Sequence, residues 1–374
     1  MIKEPNRIFV SRPSLPPLDE FIPYLDKIWE SRQLTNMGPF HDQFEKELAE
    51  YLGVEHISLL VNGTIALMLA IKALNIKGEV ITTPFSFVAT SQVLHWNNIK
   101  PVFVDIEPDY FNIDPEKIGS GITKKTMAIL PVHVFGNPCK HEQIAQIAQE
   151  NNFPVIYDAS HAFGVKLNNE SILNFGDLSV VSFHATKAFN TFEGGAIIIH
   201  NKKLKDKIDR LKNHGFINEI TIEGFGINGK MNEFQAALGI LQLKKFDEQV
   251  TRRNEIVEIY KNGLNGIHGI SFINEQIGLE NSHSFLPILV NPLEFGNTRD
   301  NLYEHLKKYN IFTRRYFYPL ISDLPLYSKL PSASKRNLPV SARISQQVLC
   351  LPIYPDIEND TIYEIIEIII GFSK

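Results

Sequence analysis

Residues 179–200 read SVVSFHATKAFNTFEGGAIIIH, in which two apolar runs flank a short polar turn. Apolar runs of this length, bounded by turn residues, are typical of buried β-strands. The turn carries one lysine, Lys187, and ends at Gly194 and Gly195, which allow the backbone to turn tightly. A surface lysine needs no such setting, whereas a lysine that performs chemistry gains from it, because burial lowers the pKa of its amine.

Helix-like and strand-like segments alternate around this stretch from about residue 40 onward. The strand-like runs are HISLLV, GEVITTP, KPVFVDI, MAILPVHVF and FPVIYDAS, and helical patterns such as TIALMLAIKAL and HEQIAQIAQENN lie between them. This alternation predicts an α/β fold, in which helices cover a mostly parallel sheet. Ligand sites in such folds usually form at the carboxyl ends of the strands.

The alternation weakens after residues 233–264, which predict one long helix or a bent pair. We therefore predict an N-terminal arm and a large domain over residues 1–245, and a smaller α+β domain over residues 246–374. In the last segment, isoleucines fall on one face of a predicted helix, and we expect this face to pack into the core. These isoleucines are Ile362, Ile365, Ile366, Ile369 and Ile370.

Composition favours a soluble globular protein without a nucleic-acid or membrane surface. The 374 residues are 44% hydrophobic and 21% charged, with a dispersed net charge of -5. Nucleic acids and anionic membranes would require a clustered basic face. The cysteines, Cys139 and Cys350, form no disulfide framework or metal-ligand spacing, so no metal site is predicted. The first 18 residues lack a signal-peptide apolar core, and no run is long enough to span a membrane, so we expect a cytoplasmic protein.

Gly63 and Thr64 open a predicted helix directly after the strand HISLLV, in the block NGTIAL. Free backbone N–H groups and a hydroxyl at the positive end of a helix dipole suit a phosphate. The alternative interpretation is that NGTIAL is a capped turn between a strand and a helix, with no ligand. The Gly-x-Gly-x-x-Gly spacing occurs at residues 224–229, but it does not follow any of the strand-like runs quoted above, and no Gly-x-x-x-x-Gly-Lys is followed by serine or threonine. Neither the standard dinucleotide motif nor the nucleoside-triphosphate motif is therefore predicted.

Asp158 follows the apolar residues of the strand-like run FPVIYDAS, and this would place its carboxylate at the edge of the sheet. A partly desolvated carboxylate there is costly without a cationic partner, although a helix cap or structural hydrogen bond also explains it. His161, three residues later, is more often a packed histidine than a catalytic one. Pyridoxal 5'-phosphate requires three such groups together. It needs a cradle for its phosphate, a carboxylate beside its ring nitrogen, and a lysine that forms a Schiff base with its aldehyde.

Five blocks of the chain resemble the sugar aminotransferases of the DegT/DnrJ/EryC1/StrS family. They are SFHATKAFNTFEGGA, YDASHAFG, NGTIAL, TTPFSFVAT and GINGKMNEFQAALG, and the resemblance covers nearly the whole chain. It implies an aspartate-aminotransferase-like fold, with a mixed, mostly parallel sheet between helices in the large domain and a smaller α+β domain at the C-terminus.

The resemblance also implies roles for individual residues. Lys187 would bind the cofactor covalently, Asp158 would pair with its ring nitrogen, and His161 would lie near its hydroxyl. Phe87 would stack on the ring. The residues that match the phosphate-binding positions are Gly63, Thr64 and Ser182.

Asn228 matches an asparagine that in this family reaches the phosphate from the neighbouring subunit, which implies a homodimer with shared active sites. Many relatives read Asn-Tyr-Arg-Met at this point, whereas this chain has Gly229 and Lys230 between Asn228 and Met231. Contacts usually made by that Tyr-Arg pair are therefore not carried over. The candidates for substrate contacts are Asn190, Lys230, Arg315, Tyr316 and Tyr318.

The function that the resemblance implies is transfer of an amino group from L-glutamate to a nucleotide-linked keto-deoxysugar. The lysine block is most similar to enzymes that make dTDP-4-amino-4,6-dideoxy-D-glucose, for surface polysaccharide such as O-antigen. Amination of a 3-keto sugar is the alternative within the family. A sugar dehydratase would replace Lys187 with histidine, a cofactor-binding regulator would carry a DNA-binding module, and a simple nucleotide-sugar-binding protein would not need the lysine.

Overall fold

The computed structural model describes residues 7–373. Its α-helices are α1 (Leu18–Ser31), α2 (Pro39–Leu52), α3 (Gly63–Ala73), α4 (Ala89–Trp96), α5 (Pro115–Gly121), α6 (His141–Asn151), α7 (Lys202–Leu211), α8 (Glu233–Leu264), α9 (Pro292–Phe295), α10 (Arg299–Lys308), α11 (Pro339–Gln347) and α12 (Asn359–Ile370). Its strands are β1 (Ile8–Phe9), β2 (His56–Leu60), β3 (Glu79–Thr82), β4 (Lys100–Phe103), β5 (Thr126–Leu130), β6 (Ile156–Asp158), β7 (Lys166–Leu167), β8 (Glu170–Ser171), β9 (Leu178–Ser182), β10 (Gly195–Ile199), β11 (Ile270–Phe272), β12 (Leu279–Glu280), β13 (Leu286–Val290), β14 (Ile311–Phe312) and β15 (Val348–Leu351).

The main sheet is mixed and mostly parallel, as predicted. Strands pair in the order β2-β10-β9-β6 and, separately, β4-β3-β5. Isolated parallel bridges from Ile129 to Val155 and from Val132 to Asp158 join the two groups between β5 and β6. Among the strands of this sheet that residues 7–373 form, only β10 runs antiparallel to its neighbours, β2 and β9. Asp158 pairs with Val180 on β9, so the ends of β6 and β9 meet at one edge of the sheet.

Both faces of this sheet are covered, which explains why its strands read as continuous apolar runs. Side chains alternate between the faces along β10. Ala196 and Ile198 pack into a cluster with residues of α2 and α8. Ile197 and Ile199 pack into another cluster, with residues of α3 and α7.

The start of α2 takes an acidic partner from a distant part of the chain. Backbone N–H groups of Phe40 and His41 each donate to the Glu233 carboxylate at 2.9 Å. The first N–H groups of a helix have no intrahelical acceptor, and the helix dipole favours a negative charge there. Glu233 therefore satisfies this helix start and ties α8 to α2.

A third apolar cluster combines the later part of α8 with β13, β15, α10 and α12. The antiparallel sheet β11-β13-β15 lies in the same part of the chain. The predicted domain boundary at residue 245 falls inside α8, and the division stays a prediction.

The isoleucine face of α12 is buried except at its last member. Ile362, Ile365, Ile366 and Ile369 are buried, whereas Ile370 is 38% exposed. The expectation for Ile370 was wrong because α12 ends at that residue. Within residues 7–373, no helix combines the length and the apolarity needed to cross a membrane.

Candidate active site

A cavity of about 380 Å³ lies where β6 and β9 end and α3 begins. This volume falls within the usual range for a small-molecule pocket. The structure brings most of the predicted cofactor residues to its wall. These are Gly63, Thr64, Phe87, Asp158, His161, Ser182 and Lys187.

The start of α3 is arranged to bind an anion. The Asn62 side chain accepts a hydrogen bond from the N–H of Ile65 at 2.8 Å and so caps the helix. The N–H groups of Gly63 and Thr64, in the first turn, have no intrahelical acceptor. A Cβ atom on Gly195 would lie 2.6 Å from the Gly63 nitrogen, so glycine at position 195 allows β10 to approach the helix start this closely. Backbone donors at a helix start, with the exposed Thr64 beside them, suit a phosphate.

Asp158 is buried at the end of β6, and hydroxyl groups hold its carboxylate in place. Thr90 donates to Oδ2 at 2.7 Å, and the Ser160 hydroxyl donates to Oδ1 at 2.6 Å. The Thr90 oxygen lies 2.8 Å from the hydroxyl oxygen of Ser86, which extends the chain of hydroxyls. These contacts fix the orientation of a carboxylate that lines the cavity.

His161 lies flat against Phe317, with ring centroids 5.7 Å apart and an interplanar angle of 8°. Its Nδ1 accepts a hydrogen bond from the backbone N–H of Phe135 at 3.3 Å, which places the proton of the neutral ring on Nε2. Burial, followed by the charge of Lys187, holds the pKa of His161 well below its ordinary value. His161 is therefore a neutral donor in the cavity wall.

Lys187 is half-buried, and its Nζ lies 5.5 Å from the centroid of the Phe285 ring. Burial lowers the pKa of this lysine to about 8, and the charge of Asp158 opposes that change. Near neutral pH, Lys187 therefore has a much larger neutral fraction than an ordinary lysine. A neutral amine can act as a nucleophile or accept a proton.

The groups around this cavity fit pyridoxal 5'-phosphate. The start of α3 suits its phosphate, the amine of Lys187 suits its aldehyde, and the carboxylate of Asp158 suits a protonated ring nitrogen. The side chain of Phe87 lines the cavity although it is 57% exposed, so an aromatic face is available for a ring.

The structure places three other predicted residues away from the cavity wall of this chain. Asn228 is exposed, and its backbone pairs with that of Asn213 in an isolated antiparallel β-bridge. The side-chain Oδ1 of Asn213 accepts a hydrogen bond from Lys230 Nζ at 2.7 Å. Asn190 is buried, and among residues 7–373 its Oδ1 has no hydrogen-bond partner.

Of the three candidates in the C-terminal loop, only Tyr316 lines the cavity. The Arg315 guanidinium contacts Asp300 at 2.8 Å and lies over the rings of Tyr303 and Tyr318. Arg315 is thus engaged within its own chain, and Tyr318 packs against it.

Several residues of the site were missed in the sequence. Ser160 follows Asp158 by two residues, a spacing at which a hydroxyl readily contacts a carboxylate, and this signal was available. Thr90 lies in the quoted block TTPFSFVAT, but no local pattern indicates that it contacts Asp158. Phe285 and Phe317 reach the cavity from far along the chain and carry no local signal.

Comparisons with known sequences and structures find several similar proteins. The sequence model of the DegT/DnrJ/EryC1/StrS aminotransferase family matches residues 18–370. The chain is 51% identical to a dTDP-4-amino-4,6-dideoxy-D-glucose transaminase of Shigella dysenteriae, over 97% of this chain and 98% of that protein. It is 48% identical to a transaminase of the same name from Escherichia coli, over 97% and 98% of the two chains. Its fold matches the structure of DesI in the presence of its TDP-sugar product, with a TM-score of 0.93, 33% identity and coverage of 98% of this chain and 92% of that one.

Proposed function

The chain belongs to the DegT/DnrJ/EryC1/StrS family of pyridoxal-phosphate-dependent sugar aminotransferases, and from that premise we propose its substrates. The amino acceptor is dTDP-4-keto-6-deoxy-D-glucose, the product is dTDP-4-amino-4,6-dideoxy-D-glucose, and the amino donor is L-glutamate. The names of the two bacterial transaminases support this acceptor, since each is about half identical over almost its full length. The enzyme works in the cytoplasm and supplies surface polysaccharide such as O-antigen.

The observation that carries the proposal is the amine of Lys187, which shares one cavity with the carboxylate of Asp158 and the start of α3. When bound, pyridoxal phosphate supplies an aldehyde that condenses with amines and a ring that accepts electrons from the reacting carbon. Gly63, Thr64 and Ser182 hold its phosphate in this proposal, and Phe87 covers its ring.

Lys187 moves the proton in both halves of the reaction. Its neutral Nζ takes a proton from the carbon that carries the amino group of the donor, and in the second half it returns a proton to the corresponding carbon of the sugar. A base performs best when its pKa lies near the working pH, and burial brings the pKa of Lys187 to about 8. The donor and the acceptor react in turn, which gives ping-pong kinetics.

Asp158 and His161 orient the ring rather than move this proton. The Asp158 carboxylate, held by Thr90 and Ser160, pairs with the protonated ring nitrogen. His161 keeps Nδ1 occupied by a backbone N–H and offers its Nε2 proton to the ring hydroxyl.

The working unit in this proposal is a homodimer in which Asn228 reaches the phosphate in the partner's site. Two features support it: Asn228 is exposed in the chain, and apolar side chains are exposed in the segment that precedes it. Ile220 and Phe225 in that segment are 93% and 92% exposed. Exposed apolar groups at this density are typical of an interface.

The test is an assay of the purified enzyme with L-glutamate and either the 4-keto or a 3-keto dTDP-6-deoxyhexose, with NMR of the product. The proposal expects amination at C4, and amination at C3 would contradict the substrate. Lys187→Ala should lose the visible absorbance of the bound cofactor and lower the rate by at least about 10²–10⁴-fold. Retained turnover in this variant would contradict the role of the lysine.

Activity assays of the wild type and of this variant also distinguish the transaminase from a dehydratase, a regulator and a simple binding protein. A dehydratase of this fold works without the lysine, so it would survive Lys187→Ala, and a regulator or a simple binding protein would show no turnover in the wild type.

A further inference from the structure

We propose that Glu193, together with His184, binds hydroxyl groups of the sugar acceptor and so favours the sugar over the amino donor in the second half of the reaction. This inference rests on the proposed function and adds a substrate contact to it. Both side chains line the active-site cavity, and both belong to the turn between β9 and β10 that carries Lys187.

The backbone holds Glu193 at the cavity in a defined position. The residue before it, Phe192, has a φ of 64°, in the left-handed region that non-glycine residues rarely adopt. The carbonyl of Glu193 accepts hydrogen bonds from the Thr191 hydroxyl at 2.7 Å and from the Gln235 amide at 2.6 Å. Strain of this kind persists only where surrounding contacts enforce it, and it concentrates at functional sites.

His184 is fixed in a similar way. Its Nδ1 accepts a hydrogen bond from the backbone N–H of Thr186 at 3.2 Å and lies 2.8 Å from the Thr186 hydroxyl oxygen. The proton of the neutral ring is therefore on Nε2, which lies 3.5 Å from Oε1 of Glu193. This separation exceeds that of a direct N–H···O bond, so the pair offers one donor and one acceptor to a ligand.

The other polar groups of the cavity already have partners or proposed roles. Ser86 lies within hydrogen-bond distance of Thr90, and Ser160 donates to Asp158. The start of α3, Ser182, Lys187 and His161 serve the cofactor in the proposed function. His184 and Glu193 remain, with Tyr316, to recognise the substrate.

The chemistry of the pair distinguishes the two substrates. The donor amino acid carries a carboxylate on its reacting carbon, and a like charge in the same cavity disfavours it. The proposed acceptor carries neutral hydroxyl groups at C2 and at C3, the latter next to its keto carbon, and these can donate to a carboxylate and accept from an imidazole N–H. Glu193 therefore favours binding of the sugar and does not favour binding of the amino donor.

Single-turnover absorbance measurements test the pair because they follow the two halves of the reaction separately. In Glu193→Gln and His184→Ala, we expect kcat/KM for the sugar to fall about 10–100-fold, while that for glutamate changes by less than about threefold. Glu364→Gln, an exposed position on α12, is the matched control and should change neither value. Cofactor affinity and melting temperature report on folding independently of activity.

Acceptors that lack the 2- or 3-hydroxyl group provide a second measurement. One of them should react more slowly with the wild type, by a factor similar to that of Glu193→Gln, and lose little more in that variant. An equal loss in both halves of the reaction, or no loss in either, would overturn the inference. If the wild type completes the glutamate half but accepts no nucleotide sugar, it is the proposed function that fails.

Discussion

At Lys187, burial creates reactivity and costs stability at the same time. The folded protein lowers the pKa of this amine to about 8 from an ordinary value of 10.5. Below pH 8, both the folded and the unfolded chain hold the proton, and the folded state bears the full cost of burying a charge. Between pH 8 and 10.5, the unfolded chain binds more protons than the folded one, so stability rises with pH.

Lys187→Met should therefore stabilise the cofactor-free protein. We expect a melting temperature higher by a few degrees at pH 7, and a difference that shrinks as the pH rises from 8 towards 10.5. Thermal unfolding of both proteins over this pH range checks the sign. A difference that grows with pH would contradict a lowered pKa at this position.

Thr90→Val should show the cost of leaving Oδ2 of Asp158 without its hydroxyl donor. Oδ2 of Asp158 receives its hydrogen bond from Thr90 at 2.7 Å in a buried site. An unsatisfied buried acceptor costs about 1–3 kcal/mol, so the cofactor-free variant should lose that much stability and bind pyridoxal phosphate more weakly. Thr90→Ser keeps the hydroxyl and should behave like the wild type. A loss in Thr90→Ser as large as that in Thr90→Val would contradict this role of the hydroxyl, because serine keeps the hydroxyl and valine keeps the methyl group.

Sequence patterns identified the site residues whose chemistry is unusual for their position. Lys187 lies in a turn between buried strands, and Asp158 ends an apolar run, so each stood out locally. Thr90 contacts Asp158, and Phe285 reaches the cavity, only because the fold brings distant elements together, and nothing in their own neighbourhoods signals this.

Among the elements, the approach of β10 to the start of α3 leaves no room for a side chain at Gly195. A Cβ there would lie 2.6 Å from the nitrogen of Gly63 and 2.7 Å from the carbonyl carbon of Asn62, both backbone atoms. The helix start and the strand would have to separate to admit it.

Gly195→Ala should therefore cost about 1–3 kcal/mol of stability and weaken cofactor binding, because the N–H groups of Gly63 and Thr64 move. Gly119→Ala is the matched control, since its Cβ would meet no atom within 4 Å. That change lies in α5 and should be neutral or slightly stabilising. Chemical denaturation and cofactor titration of both variants check the prediction, and similar behaviour would contradict it.

The periodicity of apolar residues predicted whether a segment is a helix or a strand, but it did not always predict the length of that segment. The patterns for α3, α6 and the long helix α8 agree with the structure. The run MAILPVHVF predicted a longer strand than β5, which ends at Leu130. Pro131 follows it, and residues Val134–Gly136 form a short 3₁₀ turn. Strands of two residues, such as β7 and β8, are too short to produce a period.

For the molecule as a whole, α8 connects two of the apolar clusters. Its first half packs with the main sheet through residues such as Ile240, and its second half packs with α12 through residues such as Tyr260. Its N-terminal capping box includes Gln235, which also donates to the carbonyl of Glu193. One helix thus ties the active-site turn to the C-terminal part of the chain.

Shared active sites predict complementation between two inactive variants. In a heterodimer of Lys187→Ala and Asn228→Ala, one site carries both changes and the other carries neither. Random pairing makes half of the dimers mixed, so co-expression should restore about one quarter of the wild-type activity. The co-purified mixture is assayed against each variant alone. Activity equal to the average of the two separate variants would contradict a shared site.

The N-terminal N–H groups of α2 and α3 differ in their acceptors. The start of α2 donates to the carboxylate of Glu233 in the same chain, whereas the N–H groups of Gly63 and Thr64 at the start of α3 face the cavity and are available to a ligand. Charge alone does not distinguish the phosphate of a cofactor from a phosphate ion in the buffer. Cofactor-free protein prepared in phosphate will therefore be more heat-resistant, and slower to regain its colour with pyridoxal phosphate, than the same protein in a zwitterionic buffer.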